Sequence, residues 1–136
     1  MKEITIAATV ENIDVVTDFV NEQLESCDCP IKAQMQIDIA IDELFSNIAH
    51  YAYNPETGDA PVRVEVVEDP MAVVITFIDK GIPYDPLKKA DPNTALSAEE
   101  REIGGLGIFM VKKSMDDITY EYKEGQNILK IKKNLN

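Results

Sequence analysis

The chain has 136 residues, of which 45% are hydrophobic and 28% charged, with 13 Lys and Arg against 25 Asp and Glu. This composition is typical of a single globular domain and excludes a disordered chain. The formal net charge of −12 argues against nucleic-acid binding, because phosphate contacts need clustered Lys and Arg, and it favours a basic protein partner. No apolar run approaches the ~20 residues that span a bilayer, so we expect a cytoplasmic protein that does not bind membranes.

The first half of the chain predicts one strand and two helices. Residues 3–9 alternate as a strand does, and residues 12–26 change to helical spacing, with Asn12 as the expected N-cap. Pro30 is suited to the start of a second helix, about 31–52. The buried stripes are predicted to be Val16, Val20 and Leu24 in the first helix, and Ile37, Ile41, Leu44, Phe45, Ile48 and Ala52 in the second.

The second half predicts two hairpins separated by a long segment and a helix. The predicted strands are 61–68, 71–78, 117–123 and 127–133, and a third helix covers about 105–115, with Ile108, Val111 and Met115 on its apolar side. A turn is predicted at 54–59. The segment 84–103 has the length and composition of a lid or binding loop.

This order of elements predicts one domain, residues 1–136, of the α/β (α+β) class. The simplest packing is a two-layer sandwich, in which a mixed, mostly antiparallel five-stranded sheet carries the helices on one face. The two cysteines, Cys27 and Cys29, are too few for a zinc site or a disulfide scaffold, and we interpret them as reduced thiols.

Three polar residues share one face of the second predicted helix. At 100° per residue from Ile41, Glu43, Asn47 and His50 lie at about 200°, 240° and 180°, opposite the apolar stripe. Glu43 could accept a proton from a nucleophile, and the amide oxygen of Asn47 is a suitable ligand for Mg²⁺. The alternative is a solvated helix face, which every amphipathic helix has.

Asp79 and Gly81 follow the third predicted strand. An ionised carboxylate only accepts hydrogen bonds, so Asp79 would suit an exocyclic amine such as that of adenine and would reject guanine, which presents an oxygen there. Gly81 would let the backbone approach a flat ring closely. The alternative is an ordinary strand-to-turn transition, since Asp and Gly favour turns.

Gly104, Gly105 and Gly107 open the third predicted helix. Small residues at a helix start expose N–H donors at the positive end of the helix dipole, which is a suitable site for phosphate. The residues before them do not form a strand, so this is not the dinucleotide-binding fingerprint. The alternative is a helix start that needs glycine for close packing.

Taken together, these segments resemble a known family. An ExxxN helix, a hairpin ending in DxG, a lid and a GxG helix start are the pattern of the GHKL superfamily, whose ATP-binding domain is the Bergerat fold. Within it, the chain is most similar to the anti-sigma factor serine kinases, a branch of the histidine kinase-like ATPases. The segments that carry the resemblance are DELFSNIAHYAY, IDKGIPYDP, GGLGIFMVKKSMDDITYEY and GQNILKIKKNL.

The resemblance implies a role for each matching residue. Glu43 would be the general base, Asn47 would coordinate Mg²⁺, and Asp79 would bind the adenine amine with Gly81 beside the ring. The residues implied to contact the phosphates of ATP are Gly104, Gly105 and Gly107. His50 would shape the pocket, and none of the lid cations Lys88, Lys89 and Arg101 can be assigned to the γ-phosphate.

The function implied by the resemblance is an ATP- and Mg²⁺-dependent protein serine/threonine kinase. It would phosphorylate an anti-anti-sigma (STAS-type) protein and sequester a sigma factor. The resemblance also allows a homodimer. The alternative is an ATP-binding regulatory protein with little kinase activity that holds a protein partner under the control of the nucleotide. A bare ATPase module of a sensor chain is disfavoured, because no linker or transmembrane segment is present in the sequence.

Overall fold

The computed structural model describes residues 1–53, 58–68, 70–88 and 103–135. Most of the predicted turn at 54–59 and of the lid at 84–103 therefore lies outside the described residues, including Lys89 and Arg101. The described part of the lid segment contains a short 3₁₀ turn at Pro86–Lys88.

The described residues contain five strands and three helices, in the order predicted. The strands are β1 Lys2–Ala7, β2 Asp59–Val67, β3 Ala72–Asp79, β4 Asp117–Lys123 and β5 Gln126–Asn134. The helices are α1 Ile13–Leu24, α2 Ile31–Asn47 and α3 Ile103–Ser114. None of the helices in these ranges is long and apolar enough to cross a membrane.

The strands form one sheet in the order β1-β2-β3-β5-β4, with β3 in the centre. This confirms the predicted α+β class and refines the predicted mixed sheet, since all four pairings are antiparallel. The two hairpins, β2–β3 and β4–β5, meet where β3 pairs with β5, and these two strands run in opposite directions. Glu124 and Gly125 turn the second hairpin at φ 53° and 78°, the backbone that a two-residue hairpin turn requires.

The core lies between the sheet and the helices. The predicted helix stripes are confirmed, because all of their residues are buried in one cluster with alternate residues of the strands. The strand residues of this cluster are Ala60, Val62, Val64, Val73, Ile75, Phe77, Leu129 and Ile131. Because side chains alternate along a strand, the same face carries Asp79 and Asn127 at one end of the sheet.

Asn12 precedes α1 as expected, but its side chain does not cap the helix. A 3₁₀ turn at Val10–Asn12 leads into α1, so the backbone of Asn12 is already helical, at φ −90° and ψ 0°. A capping side chain needs an extended backbone. The amide of Asn12 instead donates to the carbonyl oxygen of Ala7, at 2.8 Å.

The end of α2 differs from the regular helix that the sequence predicts. After Asn47 the chain continues as a π-helical turn, Ile48–Ala52. Such turns interrupt the 3.6-residue repeat and often occur at functional sites. His50 is exposed, as its position opposite the apolar stripe predicts, whereas Ala52 is buried and the half-exposed Tyr51 lines the pocket described below.

Candidate functional site

A pocket of about 430 Å³, including its open mouth, lies between the end of α2 and strands β3, β4 and β5. Its apolar walls are formed by Leu44, Ile48, Ala52, Phe77, Ile82 and Leu129. Its polar lining consists of Asn47, Asp79, Asn127 and the tyrosines Tyr51, Tyr84 and Tyr120. Apolar walls with a few fixed polar groups are typical of a site for a small heteroaromatic ligand.

Asp79 ends β3 inside this pocket and is only 5% exposed. Its Oδ1 accepts two hydrogen bonds, from the Gly81 N–H at 2.9 Å and from Nδ2 of Asn127 at 2.8 Å. Burial raises the pKa of Asp79, and the two donors oppose that rise because they favour the charged form. With Oδ1 occupied, Oδ2 is the oxygen left for a ligand.

Gly81 lies directly against the backbone at the end of the π turn. A Cβ at this position would overlap the carbonyl group of Ala52, at the end of the π turn. The next residue, Ile82, donates its N–H to the same carbonyl oxygen at 3.0 Å. The glycine therefore allows the backbone after β3 to lie directly against the helix that forms the opposite wall of the pocket.

This contact predicts that Gly81→Ala destabilises the fold. Overpacking of this kind typically costs about 1–3 kcal/mol, and backbone atoms cannot move aside as a side chain can. Gly58→Ala is the comparison variant, because its methyl group would meet only the ring of Tyr53, a side chain held by hydrogen bonds to Asp59 and Lys80, and no backbone atom. We expect a clearly larger loss of free energy of unfolding, measured with urea, for Gly81→Ala. Equal losses would contradict this explanation.

Glu43 and Asn47 lie one turn apart at the end of α2. Nδ2 of Asn47 is 3.5 Å from Oε1 of Glu43, so the amide oxygen of Asn47 is the atom that could take Mg²⁺. Asn47 lines the pocket, and both side chains are half-buried. Within the described ranges, no group of three or more His, Cys, Asp and Glu is placed to hold a metal ion. A cation here would therefore need oxygens of a bound ligand as well.

The glycines of α3 have two different positions. The structure describes the helix from Ile103, two residues before the predicted start, so Gly104 and Gly105 lie in its first described turn. Gly107 lies beyond that turn. A Cβ on Gly107 would overlap the carboxylate of Glu43, so its lack of a side chain lets α3 pack directly on the candidate base.

Sequence reasoning missed four polar residues of the pocket: Tyr51, Tyr84, Tyr120 and Asn127. The rings of Tyr51 and Tyr84 are in contact, with their centroids 5.8 Å apart. Asn127 lies directly opposite Asp79 in the β3–β5 register. Only that register could have revealed it, since the predicted strands alone do not say which residues are partners. His50 is absent from the lining.

Known proteins resemble this chain in sequence and in fold. A family model described as a histidine kinase-like ATPase domain matches residues 6–133. A serine-protein kinase RsbW from Listeria innocua is 29% identical over 101 residues, which cover 71% of this chain and 63% of the relative. A serine/threonine-protein kinase BtrW from Bordetella bronchiseptica is 24% identical over 98 residues, covering 72% of this chain and 68% of the relative. The match thus spans 60–63% of the length of the RsbW relatives.

Two solved structures share the fold. The structure of the RsbU and RsbW domains of Rv1364c from Mycobacterium tuberculosis aligns with 99% of this chain and 33% of that one, at TM-score 0.68 and 16% identity. The histidine kinase AdeS from Acinetobacter baumannii aligns with 100% of this chain and 70% of that one, at TM-score 0.52 and 13% identity. At these identities the likeness concerns the fold alone.

Proposed function

The chain belongs to the histidine kinase-like ATPase domain family, and from this premise we propose that it is an ATP- and Mg²⁺-dependent protein serine/threonine kinase. In this proposal it acts as an anti-sigma regulatory factor, which phosphorylates an anti-anti-sigma (STAS-type) protein and sequesters a sigma factor. The observation that carries the proposal is the carboxylate of Asp79, buried in an apolar pocket with one oxygen left for a ligand.

The apolar pocket suits adenine. Asp79 can only accept hydrogen bonds when ionised, and adenine presents an amine where guanine presents an oxygen. Phe77 and Leu129 supply apolar walls for a flat ring. Gly81 acts on this subsite through its contact with Ala52, which brings the backbone after β3 against the end of α2.

The other end of the site suits the phosphates. The first-turn N–H groups of Gly104 and Gly105 lie at the positive end of the α3 dipole, which favours an anion. Asn47 would hold Mg²⁺ through its amide oxygen, together with phosphate oxygens of the nucleotide. When bound, Mg²⁺ would neutralise the negative charge of the phosphates.

Glu43 is proposed as the general base. As the serine oxygen of the protein substrate attacks the γ-phosphorus, Glu43 accepts the hydroxyl proton, and ADP leaves with the electron pair of the broken P–O bond. Gly107 and Asn47 position its carboxylate from two sides. The relatives named as serine-protein kinases support serine as the acceptor.

Nucleotide binding to the unmodified protein tests this proposal first. We expect ATP and ADP to bind in the presence of Mg²⁺, and GTP to bind about 10- to 100-fold more weakly, because Asp79 has no proton to donate to the guanine oxygen. Isothermal titration calorimetry with each nucleotide measures the difference. Equal affinities for ATP and GTP would contradict the adenine assignment. Transfer of the γ-phosphate of ATP to a serine of a STAS-type protein then tests the kinase assignment.

A further inference from the structure

A single side chain, Asn127, joins Asp79 to the segment that follows β3. It is 6% exposed and lies at the start of β5, opposite Asp79. Its Nδ2 donates to Oδ1 of Asp79 and to the carbonyl oxygen of Ile82, each at 2.8 Å. Its Oδ1 accepts from the N–H of Tyr84 at 3.1 Å and from the hydroxyl of Tyr120.

These bonds use the full capacity of a carboxamide, which has two N–H donors and an oxygen with two lone pairs. Two of the partners are backbone groups of fixed polarity. The N–H of Tyr84 can only donate, and the carbonyl of Ile82 can only accept. They determine which side of the amide is nitrogen, and therefore Asn127 must present a donor to Asp79.

A donor fixed in this way keeps Asp79 in the role of acceptor. A buried carboxyl that faced an acceptor would take up a proton and could then donate to a base. Facing the amide nitrogen of Asn127, the carboxyl is stabilised as the ion, and its Oδ2 stays an acceptor for an exocyclic amine. The ability to tell adenine from guanine thus depends on Asn127 as well as on Asp79.

The same amide also holds the chain that leaves the pocket. The segment Ile82–Tyr84 is tied to Asn127 at both ends, and the ring of Tyr84 contacts that of Tyr51. The position of Tyr84 in the pocket lining is therefore set by the residue that positions Asp79.

We propose that Asn127 is the positioning residue for base selection: its amide holds Asp79 as an acceptor and fixes the segment Ile82–Tyr84 as the adjoining wall of the pocket. This inference rests on the proposed function, since it assumes that the pocket takes adenine. Tyr120 acts with Asn127, because its hydroxyl occupies the second lone pair of the amide oxygen.

The variant Asn127→Asp tests the inference, because it keeps the size and the acceptor of the side chain and removes the donor. We expect the Kd for ADP to rise about 10- to 100-fold, the usual value of a hydrogen bond to a charged group, and the preference for adenine over guanine to fall. Tyr120→Phe is the milder variant, with an expected rise of about 2- to 10-fold for one neutral hydrogen bond. Asn134→Asp makes the same chemical change at an exposed position of β5 and should stay within about twofold of the parent.

A double-variant cycle separates positioning from general damage to the fold. If Asn127 acts through Asp79, Asn127→Asp should weaken ADP binding far less in an Asp79→Asn background than in the parent. Calorimetry with ADP and GDP measures all of these affinities, and a cooperative urea transition shows that each variant is folded.

The results distinguish this inference from the proposed function. A parent that does not prefer adenine would overturn both. A parent that prefers adenine, with an Asn127→Asp variant of unchanged affinity and preference, would overturn the inference alone. Equal losses in both backgrounds would also overturn it. Should Asn127→Asp fail to fold, an unchanged adenine preference in Tyr120→Phe would count against the inference.

Discussion

Glu43→Gln is expected to slow phosphoryl transfer to a protein substrate by about 10²- to 10⁴-fold, the usual contribution of a positioned base. Glutamine has the size of glutamate and keeps an oxygen for the amide of Asn47, so the contacts of the side chain are preserved while its basicity is lost. The affinity for ATP should therefore stay within a few-fold. Transfer of labelled γ-phosphate under single-turnover conditions, together with calorimetry, measures the two quantities separately.

Asp42→Asn is the matched control for this experiment. Asp42 is the preceding residue of α2, is exposed, and carries the same charge. Its replacement should leave the transfer rate within about twofold of the parent. Parent-like transfer by Glu43→Gln would exclude Glu43 as the base. An unmodified protein that binds ATP but transfers no phosphate to a STAS-type partner would favour the alternative of a nucleotide-controlled binding protein.

Much of the fold could be predicted because strong periodicity reports burial directly. The apolar stripe of α2 is confirmed from Ile37 to Ala52, and the strand pattern of β4 gives its observed bounds, Asp117–Lys123. The π turn at Ile48–Ala52 could not be predicted, because its residues continue the helical pattern of the sequence.

The candidate site was only partly visible in the sequence, since it depends on contacts between distant residues. Glu43 and Asn47 are neighbours on one helix, so their proximity follows from spacing alone. The contact of Gly107 with Glu43 and the pairing of Asn127 with Asp79 join segments 64 and 48 residues apart. A glycine or an asparagine in the sequence does not reveal which distant group it will face.

Asp79→Asn is expected to weaken ATP binding about 10- to 100-fold, because a charge-assisted hydrogen bond is worth roughly 1.5–3 kcal/mol. The bonds from Gly81 and Asn127 both go to Oδ1, and the amide oxygen of an asparagine can accept both. Its nitrogen then takes the place of Oδ2 and presents a donor to the amine of adenine. The preference for ATP over GTP should therefore fall together with the affinity.

The same substitution is expected to change the pH dependence of stability. Burial raises the pKa of Asp79 above that of the unfolded chain, so the folded state binds this proton more tightly. The contribution of Asp79 to the free energy of unfolding is thus fully present below the unfolded pKa and is lost as the pH rises through the raised pKa. The amide of Asp79→Asn does not titrate, so the stability of the variant relative to the parent should increase from acidic to neutral pH.

Urea unfolding of parent and variant between about pH 3 and pH 7 measures this difference. Glu65→Gln, at an exposed position of β2, removes one carboxylate far from the pocket lining and should leave ATP affinity within about twofold of the parent. Asp79→Asn would then bind ATP poorly while gaining stability relative to the parent between acidic and neutral pH. That combination is expected only if the buried charge is kept for the ligand, at a cost to the fold. A variant that loses stability and affinity together at neutral pH would show that Asp79 mainly supports the structure.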